Sequence, residues 1–300
     1  MGPVAASRRS PSVEPRGEGS RTEGSRTEGS HGSFSESVAK LLDRIDYRRA
    51  DTPEARDAIF RLRYEAYVRD GTITPNATGT FRDFYDDTDN VHLFGLYVDG
   101  ELASAIRIHV ASREHPYFPT LDVFPEYLRL QLDAGKIIVD PTRFVADERL
   151  SRIHRALPYA TLRLCGMCAR YFKADELLAA VRVEHQAFYR RIFQHRMVCA
   201  PRPYPLLAKP ISLMTIDYPV VAEDVHRRYP FFRSTLFERR MLFERAPAVV
   251  SRNDKLRQDL NQDLNQDLNR ARHNDQRRSQ DRPLPDPLAP FAELEIACGA

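Results

Sequence analysis

The chain has 300 residues, four cysteines, no tryptophan and a formal net charge of +3. So small a charge, with no basic run interleaved with aromatics, does not suggest nucleic-acid binding. No apolar stretch reaches the length of a membrane span and no apolar signal segment opens the chain, so a cytoplasmic protein with no transmembrane segment is expected.

Residues 1 to about 36 are rich in Ser, Gly, Arg and Glu with almost no large apolar residues, and contain the direct repeat GSRTEGSRTEGS from Gly19 to Ser30. Such a segment cannot bury enough surface to offset chain entropy and reads as disordered. The far end, 246–300, contains QDLNQDLNQDLN and the proline-rich DRPLPDPLAP. A leucine every fourth residue could form a narrow helical stripe, but a low-complexity tail is the preferred reading. Between these ends, 44–245 is long enough for one domain with its own core.

Within that domain, Ile45 to Arg49 alternates as a short strand. Thr52 then offers an N-cap, Pro53 suits the first helical position and Glu54 the positive end of the helix dipole. The helix is expected to reach Arg69 and stop at Gly71, with Ala55, Ile59, Leu62, Ala66 and Tyr67 inward. From Thr72 to Asn90 the chain lacks a period. Its FRDFYDDTDN is an acidic loop with aromatic anchors, and it lacks the glycine and distal glutamate of a calcium loop. Val91 to Val98, Asp99-Gly100 and Leu102 to Val110 form the clearest hairpin. Arg107 stands inside its second strand, and alternation alone leaves open whether it faces solvent or a cleft.

Residues 111–134 read as a loop and short helix anchored by Leu121 and Phe124. The stretch that follows, GKIIVDPTRFV, is the focus of the chain. Ile137, Ile138 and Val139 are strand-forming, Asp140 and Pro141 interrupt, and Thr142 to Val145 resume. Proline has no N–H for a ladder, so a bulge or a splayed strand edge is expected. A carboxylate and an arginine in an apolar strand are costly unless used. The simplest local reading is a strand ending at Asp140, with Arg143 as its ion-pair partner. A long helical pattern follows from Glu148 to Phe172, where Pro158 marks a kink or a join. It contains Cys165 and Cys168, a CxxC without a second pair, read as two core cysteines rather than a metal site. Leu177 to Val183 is a buried strand. A helix with Phe188, Tyr189, Ile192 and Phe193 comes next, then a short strand near Met197, a strand from Ile211 to Tyr218, and helix from Val220 to Leu242 broken near Pro230. Strands and helices thus alternate around a mixed α/β sheet. A doubly wound dinucleotide fold is not expected, because no GxGxxG follows the first strand.

This order resembles the GNAT acyltransferase fold, an α/β (α+β) mixed central sheet flanked by helices. The best local match is VRVEHQAFYRRIFQ, from Val181 to Gln194. Within that superfamily the chain is similar to the acyl-homoserine lactone synthases and the related N-acyl amino acid synthases. Four pieces carry the likeness, in order: Arg63 and Tyr67 in RLRYEAY; Asp83 and Asp86 in FRDFYDD; Arg107 in SAIRIHV; and Asp140, Arg143 and Phe144 in VDPTRFV. Three departures stand out. There is no tryptophan, aspartate occupies position 140 where the lactone synthases usually carry glutamate, and no Gln/Arg-x-x-Gly-x-Gly/Ala loop follows the central strand. These favour the amino acid branch and an acyl carrier protein over free coenzyme A as donor.

The resemblance implies acyl transfer from an acyl-phosphopantetheine thioester to the amine of an amino acid, with no tightly bound cofactor. Asp140, directly or through a water, is the candidate base for the amine. Tyr189 is the candidate acid for the leaving thiol, or else a core tyrosine. Backbone N–H groups of the splayed strand would meet the oxyanion. Arg63, Tyr67, Asp83, Asp86, Arg107, Arg143 and Phe144 form an expected cluster beside the cleft, which braces the loop or binds the acceptor. Arg149, Arg152 and Arg155 recur every third residue and could hold the donor's phosphate or an acidic carrier, or simply be solvated. The alternatives are a lactone synthase using S-adenosylmethionine and a non-catalytic GNAT-like binding module.

Overall fold

The computed structural model describes residues 26–204 and 209–244. The QDLN repeat, Cys298 and most of the GSRTEG repeat lie outside the described residues. Helix α1, Arg26–Leu42, begins inside the stretch expected to lack structure. The reason is local. Phe34, Val38 and Leu41 fall at helical spacing, and Val38 and Leu41 are buried in the main core with Phe34 packed against it.

Among the described residues, seven strands form one sheet in the order β1-β2-β3-β4-β5-β7-β6. β1 is Ile45–Arg49, β2 Val91–Val98, β3 Glu101–Ala111, β4 Ile138–Ala146, β5 Glu176–Val181, β6 Arg196–Arg202 and β7 Ile211–Asp217. All neighbours are antiparallel except β4 and β5, which run parallel. β2 and β3 join through Asp99 and Gly100, both at positive φ (50° and 88°), as a two-residue type I′ turn requires.

Helix α2, Pro53–Arg69, is capped by Thr52 and ends just before Gly71. It buries Ile59, Phe60, Leu62 and Ala66, and Arg63 with them. The loop after it contains a 3-10 turn at Phe84–Asp86. Two short helices, α3 (Pro119–Val123) and α4 (Pro125–Asp133), lead into β4. The expected long helix is two pieces, α5 (Glu148–Ile153) and α6 (Leu157–Phe172). Pro158 is a join rather than a kink, because it sits in the first turn of α6, where a missing N–H costs nothing. Both Cys165 and Cys168 are buried in the core on α6. Helix α7 is Gln186–Phe193, α8 is Tyr218–Arg228 and α9 is Leu236–Phe243.

Buried apolar side chains form three clusters about the sheet, one of them under α2. On one face, Val139 and Leu177 join α6, α8 and α1 in the larger core. On the other, Ile138 and Leu178 pack with Phe118, Phe124 and Leu128 of the α3–α4 segment. None of the described helices is long and apolar enough to cross a membrane.

Candidate active site

β4 and β5 pair only at Ile138↔Glu176 and Val139↔Leu177. The chain chemistry explains why the ladder stops. The Ile137 carbonyl accepts from the N–H groups of Asp175 and Glu176, so it points toward β5. Backbone groups alternate sides along a strand, so Val139 and Pro141 face β5 as well. Pro141 has no N–H to give there, and the two strands diverge.

A cavity of about 680 Å³ opens at this splay, within the range of small-molecule sites. Pro141 to Ala146 form one wall and Leu177 to Arg182 another. α6 contributes Leu162 and Cys165, α7 contributes Tyr189 and Phe193, and α8 contributes Ala222 and Val225. The lining is mostly apolar. Arg69, Arg182 and Lys209 belong to the same lining and are basic; Arg182 and Lys209 both approach Glu184, at 3.4 and 3.6 Å.

β4 continues through Asp140 and Pro141 to Ala146, so the strand does not end at Asp140. Its irregularity lies two residues later. Ala105 pairs with Val145 and Arg107 with Thr142, which leaves Arg143 and Phe144 opposite the single residue Ile106. This is a bulge, and Arg143 occupies it at φ 54°. A left-handed non-glycine residue costs about 1–2 kcal/mol, and here the bulge aims Arg143 toward the acidic loop.

The charged residues picked from sequence do converge. Arg63 Nη1 donates to both oxygens of Asp86, at 3.0 and 2.9 Å, with both side chains fully buried. Arg107 donates to Asp83 and lies 3.1 Å from Asp86 Oδ1, and its Nε donates to Thr142 Oγ1 at 3.1 Å. Arg107 is therefore interior, which settles the open question of its direction. Arg143 Nη2 donates to Asp83 Oδ2 at 2.7 Å. Asp83 and Asp86 also cap the 3-10 turn, so the loop and the cluster hold each other. Burial alone would raise the Asp83 carboxyl, but Arg107 and Arg143 hold it down at about 2. Tyr67 stacks edge-on against Phe81 at 5.2 Å. The Arg143 guanidinium lies over both rings and over Tyr204, at 4.9 to 5.8 Å. Phe144 lines the cavity.

Asp140 is placed differently from the expectation. It is fully buried on the α3 face of β4 and does not line the cavity. Its partner is not Arg143 but Thr120, whose hydroxyl lies 2.7 Å from both carboxylate oxygens and shares its one hydrogen between them. Burial pushes Asp140 up to about 6, against the pull of Thr120 and Arg107. A bidentate hydroxyl contact of that kind comes from a threonine twenty residues upstream, which no local pattern marks. Tyr189 does line the cavity, and burial raises its hydroxyl well above the ordinary tyrosine value.

Arg149, Arg152 and Arg155 do not line the cavity. Arg149 bonds Glu101 and Arg152 bonds Glu148 on the surface, and Arg155 falls in the break between α5 and α6. The broken helix therefore removes the shared face that three-residue spacing implied. Three further residues had little sequence signal. Tyr204, in a proline-flanked PYP, reaches the Arg143 cluster, and burial pushes it up to about 12. His109 Nε2 meets the Tyr85 carbonyl at 2.9 Å, and burial and Arg107 push it down to about 3. His195 lies in the cavity wall.

A mixed sheet splayed between its parallel pair, with a largely apolar cavity opening at the splay, is a GNAT-like fold. The model of the family described as "N-acyl amino acid synthase FeeM" matches residues 58–217, more than half of the chain, and the chain belongs to that family. Among solved structures it is similar to FeeM, an N-acyl amino acid synthase from uncultured soil microbes, at 19% identity and a TM-score of 0.49, covering 59% of this chain and 92% of that one. It is also similar to BjaI, a CoA-dependent acyl-homoserine lactone synthase, at 15% identity and 0.46, covering 62% and 89%. An acyl-CoA N-acyltransferase from Pseudomonas aeruginosa gives 17% and 0.40, covering 57% and 98%. No curated protein matches the chain significantly.

Proposed function

We propose that the chain moves a fatty acyl group from a phosphopantetheine thioester, on an acyl carrier protein or coenzyme A, to the amine of an amino acid. The product is an N-acyl amino acid. The observation that carries this reading is the apolar cavity opening where Pro141 ends the β4–β5 ladder. The acyl chain lies between α6, α7 and α8. The thioester carbonyl sits at the splay, where backbone N–H groups of β4 beyond Pro141 no longer ladder to β5 and can meet the oxyanion. The phosphate is met by Arg182 and Lys209, which line the same cavity, in preference to Arg149, Arg152 and Arg155, which stand apart from it.

The amino acid approaches from the charged side of β4. Arg143, at the boundary between the cluster and the cavity, binds its carboxylate, while Arg63, Asp86 and Arg107 brace the loop. Asp140 takes the ammonium proton through the Thr120 hydroxyl or a water, since it does not reach the cavity itself. A carboxyl pushed up to about 6 is well matched to that task near neutrality. Tyr189, which burial keeps protonated, passes its proton to the leaving thiolate as it takes the second proton that the nitrogen loses on becoming an amide. A cytoplasmic location agrees with both proposed donors.

Mass spectrometry of lipid extracts from bacteria expressing the chain tests the reading. A new fatty acyl amino acid, absent with Asp140→Asn, is the expected result. An acyl-homoserine lactone formed only with S-adenosylmethionine, or no new lipid with donors supplied, would overturn it.

A further inference from the structure

His195 follows α7 and precedes β6, and it is only 3% exposed. It lines the acyl cavity. Among the described residues, neither ring nitrogen has a hydrogen-bond partner of good geometry. Its ring stands edge-on to Tyr189, with centroids 5.5 Å apart, and to Phe193 at 6.0 Å. Its own backbone N–H donates to the Tyr189 carbonyl, which fixes the ring beside α7. Burial pushes the imidazole down to about 4, and the nearby carbonyls of Leu177 and Tyr189 oppose that shift without meeting hydrogen-bond geometry. The ring is therefore neutral at physiological pH, with one donor and one acceptor nitrogen. A buried polar side chain without a well-formed hydrogen bond is costly in a largely apolar wall. Phenylalanine or leucine would fill the same space without that cost.

We propose that His195 is a specificity-determining residue that hydrogen-bonds an oxygen carried on the acyl chain, so that the cavity prefers hydroxylated or oxo-substituted acyl groups over plain saturated ones. Leu177, beside the ring, belongs to the last laddered pair of β4 and β5. The oxygen is thus met near the apex of the splay, not at the basic residues of the lining. An acyl hydroxyl uses both imidazole functions in turn, as donor or as acceptor, so either oxidation state of the carbon is accommodated. The inference rests on the cavity being the acyl site.

The test uses the purified full chain and displacement of a fluorescent long-chain fatty acid. Competitors are dodecanoate and a set of hydroxydodecanoates that differ in hydroxyl position. The wild type is expected to bind one hydroxylated isomer roughly fivefold or more tighter than dodecanoate. His195→Phe should abolish that preference while still binding dodecanoate. His195→Gln, which keeps a donor and an acceptor, should retain part of it, and it stands in if the phenylalanine variant does not fold. Equal binding of every isomer by the wild type, or an unchanged preference in both variants, would overturn the proposal. Failure of any fatty acid to bind the wild type would instead remove the acyl-cavity reading, and this inference with it.

Discussion

Arg143 Nη2 donates to Asp83 Oδ2 at 2.7 Å, although the two residues are sixty positions apart and Asp140 stands only three before Arg143. The bulge of β4 turns Arg143 away from its sequence neighbour and toward the acidic loop. Asp83 thereby serves two arginines, Arg107 and Arg143, and is mostly buried with them.

Asp83→Ala leaves two largely buried guanidinium groups without their shared carboxylate. Removing one partner of a buried pair costs about 3–5 kcal/mol. Because the folded carboxyl is held at about 2 against an ordinary 3.8, its contribution is present above about pH 4 and is lost as pH falls through 2. Urea unfolding at neutral pH should show the loss, and the variant should lack the wild type's decline between those values. A change under about 1 kcal/mol would mean that the cluster is not under load.

Asp140 has the opposite sign. Its folded pKa of about 6 lies above the ordinary 3.8, so the folded state binds more protons between those values and loses stability as pH rises through them. The full cost is about 3 kcal/mol. Asp140→Asn should fold, remove that slope and abolish most acyl transfer. Near-normal turnover by the purified variant across neutral pH would reject Asp140 as the base.

Thr120→Val removes the hydroxyl that pulls Asp140 downward. The acid limb of the pH–rate profile should move upward, and Thr120→Ser should restore it. A profile that keeps its position while its height falls would mark Thr120 as structural only.

Pro141→Val supplies the missing N–H on the β5 side of β4. The ladder should lengthen and the splay narrow. Acyl transfer should fall by tenfold or more, on the order expected when a reacting centre is misplaced, with stability unchanged or higher. Unchanged activity and unchanged fatty-acid binding would show that the proline does not hold the splay open.

Tyr189→Phe keeps the cavity wall and removes the hydroxyl. A loss of roughly 10²-fold in kcat, with KM for the donor little changed, is expected of a positioned acid. Equal loss in donor binding would assign the tyrosine to the wall instead.

Much of the fold was legible because its signals are local. The Thr52-Pro53-Glu54 cap, the Asp99-Gly100 turn and the apolar runs of β2 and β5 each specify their element without help from afar. The order of those elements, with FRDFYDD and VDPTRFV between them, named the charged residues that do meet. Helix α1 was missed because three apolar residues in a polar stretch become significant only once a core receives them.

The sequence by itself determined that β4 would lack one ladder donor at Pro141, since proline has no N–H to give. Which side mattered was decided by the tertiary structure. The pleat directs Pro141 at β5, so the break opens a cavity rather than an edge. The same pleat sends Asp140 to Thr120 on the opposite face, and the bulge sends Arg143 to Asp83. Direction along a strand alternates residue by residue, and one bulge reverses it, so the partners of a buried charge are fixed only when the register is.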